Sequence, residues 1–117
     1  MRLAQARSFA LALPETTEEP HHDMSSFRVR GKIFATVPPD GKHLHVFVDE
    51  SETKASVAED PDAFEELWWG SRLSGVRVTL AAAPKRSVEE LLEEAWRRRA
   101  PKKLAASFSP PSPRGSA

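Results

Sequence analysis

The 117-residue chain contains no cysteine. Disulfide staples, thiolate nucleophiles and cysteine-ligated metals are therefore excluded, and packing alone must hold the fold. Long apolar runs are missing too. In "MRLAQARSFALALPE" Arg7 interrupts the apolar residues, so the segment is too short and too polar for a membrane span or a signal-peptide core. Net charge is also absent: 17 basic and 17 acidic side chains cancel, leaving no long-range pull toward polyanions from the sum. Catalytic signatures are lacking as well, with no glycine-rich phosphate loop, no nucleophile elbow and no carboxylate set within an apolar stretch. These absences point to a cytoplasmic, non-enzymatic protein with no cofactor, no metal ion and no membrane partner.

The neutral sum hides a segregation of charge. Asp49 to Glu66 holds eight acids against Lys54, whereas Leu67 to Arg86 holds four bases and no acid. Arg97, Arg98, Arg99, Lys102 and Lys103 add a second basic cluster.

Leu3, Ala6, Ala10 and Leu13 recur at helical spacing and predict a helix over roughly the first dozen residues, ended by Pro14. "PETTEEPHHDMS" reads as an exposed connection. From Ser26 to Val37 the period becomes two, which predicts two strands joined near Gly31, with Phe27, Val29, Ile33, Ala35 and Val37 buried. "PPDGK" is a turn, and "HLHVFVD" a strand with Leu44, Val46 and Val48 inward. "DPDAFEELWWG" reads as a short helix capped by Asp60, opened by Pro61 and stopped at Gly70. "GVRVTLAA" is the next strand. A last helix starts at Ser87, in a capping box with Glu90, buries Val88, Leu91, Leu92, Ala95 and Trp96, and ends at Pro101. Residues 1–104 make one α+β domain, a largely antiparallel sheet of about four to five strands with helices on one face; 105–117, rich in Ser and Pro, reads as a disordered tail.

On this arrangement Arg28, Arg30, Phe34, Thr36, His43, His45, Phe47, Arg77 and Thr79 share the face away from the helices. Cations and rings on one sheet suit phosphates and unpaired bases, although half-exposed sheets are often merely solvated. Trp68 and Trp69 offer an aromatic lip, although the expectation is that one closes the core and the other half-covers a loop; Trp69 joins Phe34 and Phe47 as a candidate aromatic contact. A histidine metal site from His21, His22, Asp23, His43 and His45 is weighed and set aside, because two pairs from unrelated segments would have to converge.

"LALPETTEEPHHDMSSFRVRGKIFATVPPDGKHLHVFVD", followed by "DPDAFEELWWGSRLSGVRVTL" and "LLEEAWRRRAPKKL", resembles the MmcQ/YjbR family across nearly all of Met1 to Leu104. The marks are Leu13-Pro14, Glu18 and Glu19 before His21, the "FRVRGKIFA" hairpin and the closing "APKKL". One departure is "ELWWGSRLSGVRV", where many members carry a histidine-and-tryptophan motif. The resemblance implies a compact α+β domain of frataxin-like or secretion-chaperone-like fold, described as DNA-binding and not as an enzyme; it transfers no catalytic or base-reading residue. The expectation is a DNA-binding or regulatory domain that meets the phosphate backbone through Arg28, Arg30, Lys32, Lys42, Arg72, Arg77, Arg97, Arg98, Lys102 and Lys103. The alternative is a protein-interaction or self-associating module, its partner another protein or a second copy.

Overall fold

Alanine-rich helical spacing at the N-terminus produces helix α1 (Leu3–Ala12), which buries Ala6 and Ala10 and stops before Pro14. The structure, a computed structural model, describes residues 1–108. After α1 come strands β1 (Thr16–His21), β2 (Met24–Val29), β3 (Lys32–Val37) and β4 (His43–Val46), then helix α2 (Glu50–Glu59). Strands β5 (Phe64–Trp69) and β6 (Arg72–Thr79) follow, then a 3-10 turn (Leu80–Ala82) and helices α3 (Lys85–Arg99) and α4 (Lys102–Ser107).

The strands form one antiparallel sheet in the order β1-β2-β3-β4-β6-β5. Most neighbours are hairpin partners; the exception is β4, which leaves the sheet through α2 so that β5 takes the edge and β6 returns beside β4. Period-two alternation sends Phe27, Val29, Ala35, Leu44, Val46, Val76 and Val78 to one face. There they meet the stripe Val88, Leu91, Leu92, Ala95 and Trp96 of α3, all buried as the spacing requires. Trp96 is anchored twice: its Nε1 donates to the Pro14 carbonyl at 3.0 Å, and its ring meets Phe108 edge-on at 5.2 Å. No helix among the described residues is long and apolar enough to cross a membrane.

The α+β class with helices covering one face agrees with the sequence reading, but the sheet has six strands, because two segments differ from expectation. "PETTEEPHHDMS" is not a loop: Thr16–His21 pairs with β2 as an edge strand. An edge needs only one paired side, so it tolerates Thr, Glu and even Pro20 where an inner strand would not. Glu18 points to the helix side and binds Arg7 of α1 at 2.9 Å. The second difference lies at residues 60–70. Asp60 is the C-cap of α2, not the start of a helix, and its carbonyl accepts from Ala63 and Phe64 as the chain turns into β5. Gly70, expected as a helix stop, instead opens the two-residue β5–β6 turn at φ +60°.

Helix α2 itself went unread because it buries almost nothing apolar; Thr53 is its buried residue. The signal was Asp49, whose carboxylate accepts from the Glu52 N–H at 2.8 Å, ahead of an acidic first turn. Helix α3 begins two residues before Ser87, since the Val88 N–H already bonds the Pro84 carbonyl; the expected Ser87 cap is therefore not the N-cap. Of the expected tail, 105–107 belong to α4, while residues 109–117 lie outside the described residues.

Candidate functional site

A bulge rearranges the open face. Phe27 pairs with Ala35 and Arg28 with Ile33, so Phe34 is the extra residue on β3. An extra residue breaks the alternation locally. Phe34, expected on the exposed face as an aromatic contact, is therefore fully buried, and Ile33, expected in the core, faces outward and is half-buried. The outer row instead runs through Ser26, Thr36, His45, Arg77 and Glu65, partners across five strands.

This row opens into a cleft. The β3–β4 ladder is short, with Phe47 making one last bond, its N–H donating to the Phe34 carbonyl at 3.1 Å. Beyond it the chain turns through Val48 into α2 and leaves a cavity of about 510 Å³. Ile33, Thr36, His45 and Phe47 line its sheet side, and His21 and Met24 approach from the β1–β2 hairpin. The β5–β6 hairpin contributes Trp69, Arg72, Leu73 and Ser74; the last turn of α3 contributes Arg98 and Arg99; Asp49 and Glu50 complete the wall. A second bulge, with Ser74 the extra residue of β6, bends that hairpin.

The cations around the cleft differ in freedom. Arg98 Nη1 donates to the Phe47 carbonyl at 2.8 Å, which pins the α3 terminus to the end of β4. Neither Arg72, Arg98 nor Arg99 has a carboxylate partner within ion-pair distance among the described residues. Neither tryptophan closes the core as expected, because both lie at the end of an edge strand: Trp69 is 63% exposed and Trp68 is 49% exposed, with Trp68 Nε1 donating to Glu66 at 3.0 Å. Arg77 Nη1 lies 3.5 Å from His45 Nε2. Burial, with Arg77 beside it, holds the His45 imidazole below its usual pKa, so the ring is neutral at pH 7. The Thr36 side chain is buried, and its Oγ1 finds no hydrogen-bond partner.

The expected phosphate-binding residues are thus dispersed. Arg72 and Arg98 converge on the cleft, joined by Arg99, and exposed Lys102 and Lys103 open α4 directly beyond α3. Lys32 is exposed at the start of β3, the sheet end where β4 leaves. The remaining cations are engaged or distant. Arg28 folds along the sheet, donating to Ser26 Oγ and the Pro20 carbonyl. Arg30 sits in the β2–β3 turn and binds Glu15 at 2.6 Å, which lowers the pKa of that carboxyl. Lys42 lies in the β3–β4 turn at the opposite end of the sheet. There Asp40 gathers the Lys42 and His43 N–H groups and the His43 ring, and these bonds, the Lys42 amide first, bring its pKa to about 2. Arg97 is turned into α4, bonding Glu93, the Ala105 and Phe108 carbonyls and the Phe108 ring face.

Among the described residues no group of three or more His, Asp or Glu side chains is placed to hold a metal ion. Sequence reasoning missed Asp49, Glu50 and Ser74 as site residues. Nothing local marks them, since they enter the cleft only through the departure of β4 and the bulge in β6.

Three comparisons bear on this architecture. The chain is 31% identical over 114 residues to the uncharacterized protein Mb2600 of Mycobacterium bovis, spanning 82% of this chain and 86% of that one. The uncharacterized protein Rv2570 of Mycobacterium tuberculosis matches over the same extent. The crystal structure of Deinococcus radiodurans protein DR2400, of the DUF419 family-model domain, superposes with a TM-score of 0.71 at 19% identity, over 97% of this chain and 86% of that one, a likeness of fold. The family model described as YjbR matches residues 11–98, which run from the end of α1 through Arg98 at the cleft. With that match across most of the domain, the chain belongs to the YjbR family.

Proposed function

We propose that the chain is a cytoplasmic, non-catalytic nucleic-acid-binding domain, DNA being the expected target, that uses the cleft end of its open sheet face. The observation that carries this reading is the convergence of Arg72, Arg98 and Arg99, none paired with a carboxylate among the described residues, beside the exposed ring of Trp69. Guanidinium groups hold phosphate oxygens in bidentate geometry, and an exposed indole stacks on bases of any sequence. Lys32, Lys102 and Lys103 extend the cationic surface, whereas Arg28, Arg30, Lys42 and Arg97 are left out of it.

The test is a fluorescence-anisotropy titration of labelled single-stranded and duplex DNA at 50 and 200 mM salt. Three phosphate contacts on a single strand predict a log–log salt slope of about −2 and a loss of roughly 20-fold between the two salts. Arg99→Ala makes the slope shallower by about 0.7. Absence of binding at 50 mM salt refutes the proposal.

Trp68 and Trp69 on the edge strand β5 favour a second reading, docking of a protein or a second copy. The acidic segment from Asp49 to Glu66 would face another copy's arginines. Sedimentation at low and high salt decides this, since a monomer under both conditions at high concentration removes self-association.

A further inference from the structure

The cleft is bipolar, which a surface built only for a phosphate chain need not be. We propose that it admits a single nucleotide, with the phosphate at the end of the cleft that carries Arg72, Arg98 and Arg99 and the nucleoside directed toward Thr36, Phe47 and the carboxylates of Asp49 and Glu50. This inference rests on the phosphate-binding cleft of the nucleic-acid reading above and specifies what enters it.

Four observations support it. The cavity of about 510 Å³ falls within the ~300–1,000 Å³ typical of small-molecule sites. Asp49 and Glu50 stand in the same wall as the arginines. They repel a continuous run of phosphates but accept hydrogen bonds from sugar hydroxyls or an exocyclic amine. One Asp49 oxygen is committed to the Glu52 N–H, which leaves the other available. Thr36 is 2% exposed at the sheet side of the cleft with an unpartnered hydroxyl, the kind of buried polar group that native proteins satisfy. A base edge entering the cleft beside Thr36 supplies the partner this hydroxyl lacks. Finally, Trp69 stands exposed at the rim, where its ring can stack on a nucleobase.

The nucleotide has two sources, a free mononucleotide or one unit of a single strand. A paired base offers only its groove edges and reaches the site only if extruded.

The experiment follows binding by tryptophan fluorescence and calorimetry with four probes: adenosine 5′-monophosphate, a twelve-residue oligodeoxyadenylate, the same strand in a duplex, and inorganic phosphate. The expected result is mononucleotide binding that competes with the single strand, with duplex and phosphate at least tenfold weaker. Mononucleotide binding with no strand binding supports the free source and removes the nucleic-acid reading. Thr36→Val, which keeps the side-chain shape, leaves thermal stability unchanged or higher and weakens mononucleotide binding about three- to tenfold, the effect of one lost hydrogen bond. Arg72→Gln, at an exposed position, weakens it without changing the fold. Equal binding of duplex and single strand with no mononucleotide competition overturns the inference while the nucleic-acid reading stands. Failure of every probe overturns both. Wild-type affinity in Thr36→Val together with Arg72→Gln also overturns the inference.

Discussion

Trp96 carries the last turn of α3, and with it Arg98 and Arg99, so replacing it with Phe tests how the cationic side of the cleft is held. The indole is fully buried and its N–H is bonded to the Pro14 carbonyl. Trp96→Phe removes roughly 40 Å³ of ring, and at about 24 cal/mol per Å³ of cavity this costs ~1 kcal/mol. The apolar area no longer buried costs about 1 kcal/mol more. Loss of the bond to Pro14 adds about 1 kcal/mol, since the half-buried carbonyl can turn to water. The sum is about 3 kcal/mol, which lowers Tm by roughly 12 °C for a domain of this size. Urea unfolding followed by far-ultraviolet circular dichroism measures it, with the denaturant slope expected to stay constant. A loss below about 1 kcal/mol at constant slope would show that neither the ring nor the bond to Pro14 holds α3 on the sheet.

Two glycines should respond in contrast to alanine, read by the same unfolding assay. A Cβ on Gly75 would overlap the Val46 carbonyl oxygen and come within 3.0 Å of Phe47 Cα, backbone atoms at and just beyond the end of β4, so Gly75→Ala should cost at least about 3 kcal/mol. Gly31 meets open space, so Gly31→Ala should cost only the left-handed turn conformation at φ +81°, about 1 kcal/mol. The Arg7–Glu18 pair sets an acid dependence. Arg7, assisted by Ser25, holds the Glu18 carboxyl below the usual range, so its contribution is full above the unfolded-state pKa near 4.5 and is lost as pH falls through the folded value. Glu18→Gln should therefore narrow the stability gap between pH 7 and pH 3 by up to about 1 kcal/mol, the exposed Arg7 limiting the effect. An unchanged gap in thermal melts at the two pH values removes that assignment.

The helical stripes and the inner strands were legible because burial writes itself into spacing. Ala6 and Ala10, Leu44 and Val46, Val76 and Val78, and the five residues of the α3 stripe lie where periods of 3.6 and 2 place them. So was the α+β class, since those patterns and their turns need only local physics. Two kinds of information were not local. Edge strands β1 and β5 satisfy half their backbone in the sheet and expose half of their residues, so Thr16–His21 and Phe64–Trp69 carry little apolar alternation. A bulge is a mismatch between two strands and belongs to neither alone, so the burial of Phe34 and the exposure of Ile33 could be read only once β2 and β3 were paired. The site has the same origin. Residue types alone nominated a supply of arginines, but which of them are free depends on partners distant in sequence. Glu15 takes Arg30, α4 takes Arg97, and the departure of β4 at Val46 brings Arg72, Arg98 and Arg99 to one cleft across 27 residues of chain. Spacing determined the layers of this protein; the sheet order and one short ladder decided where its charge is presented.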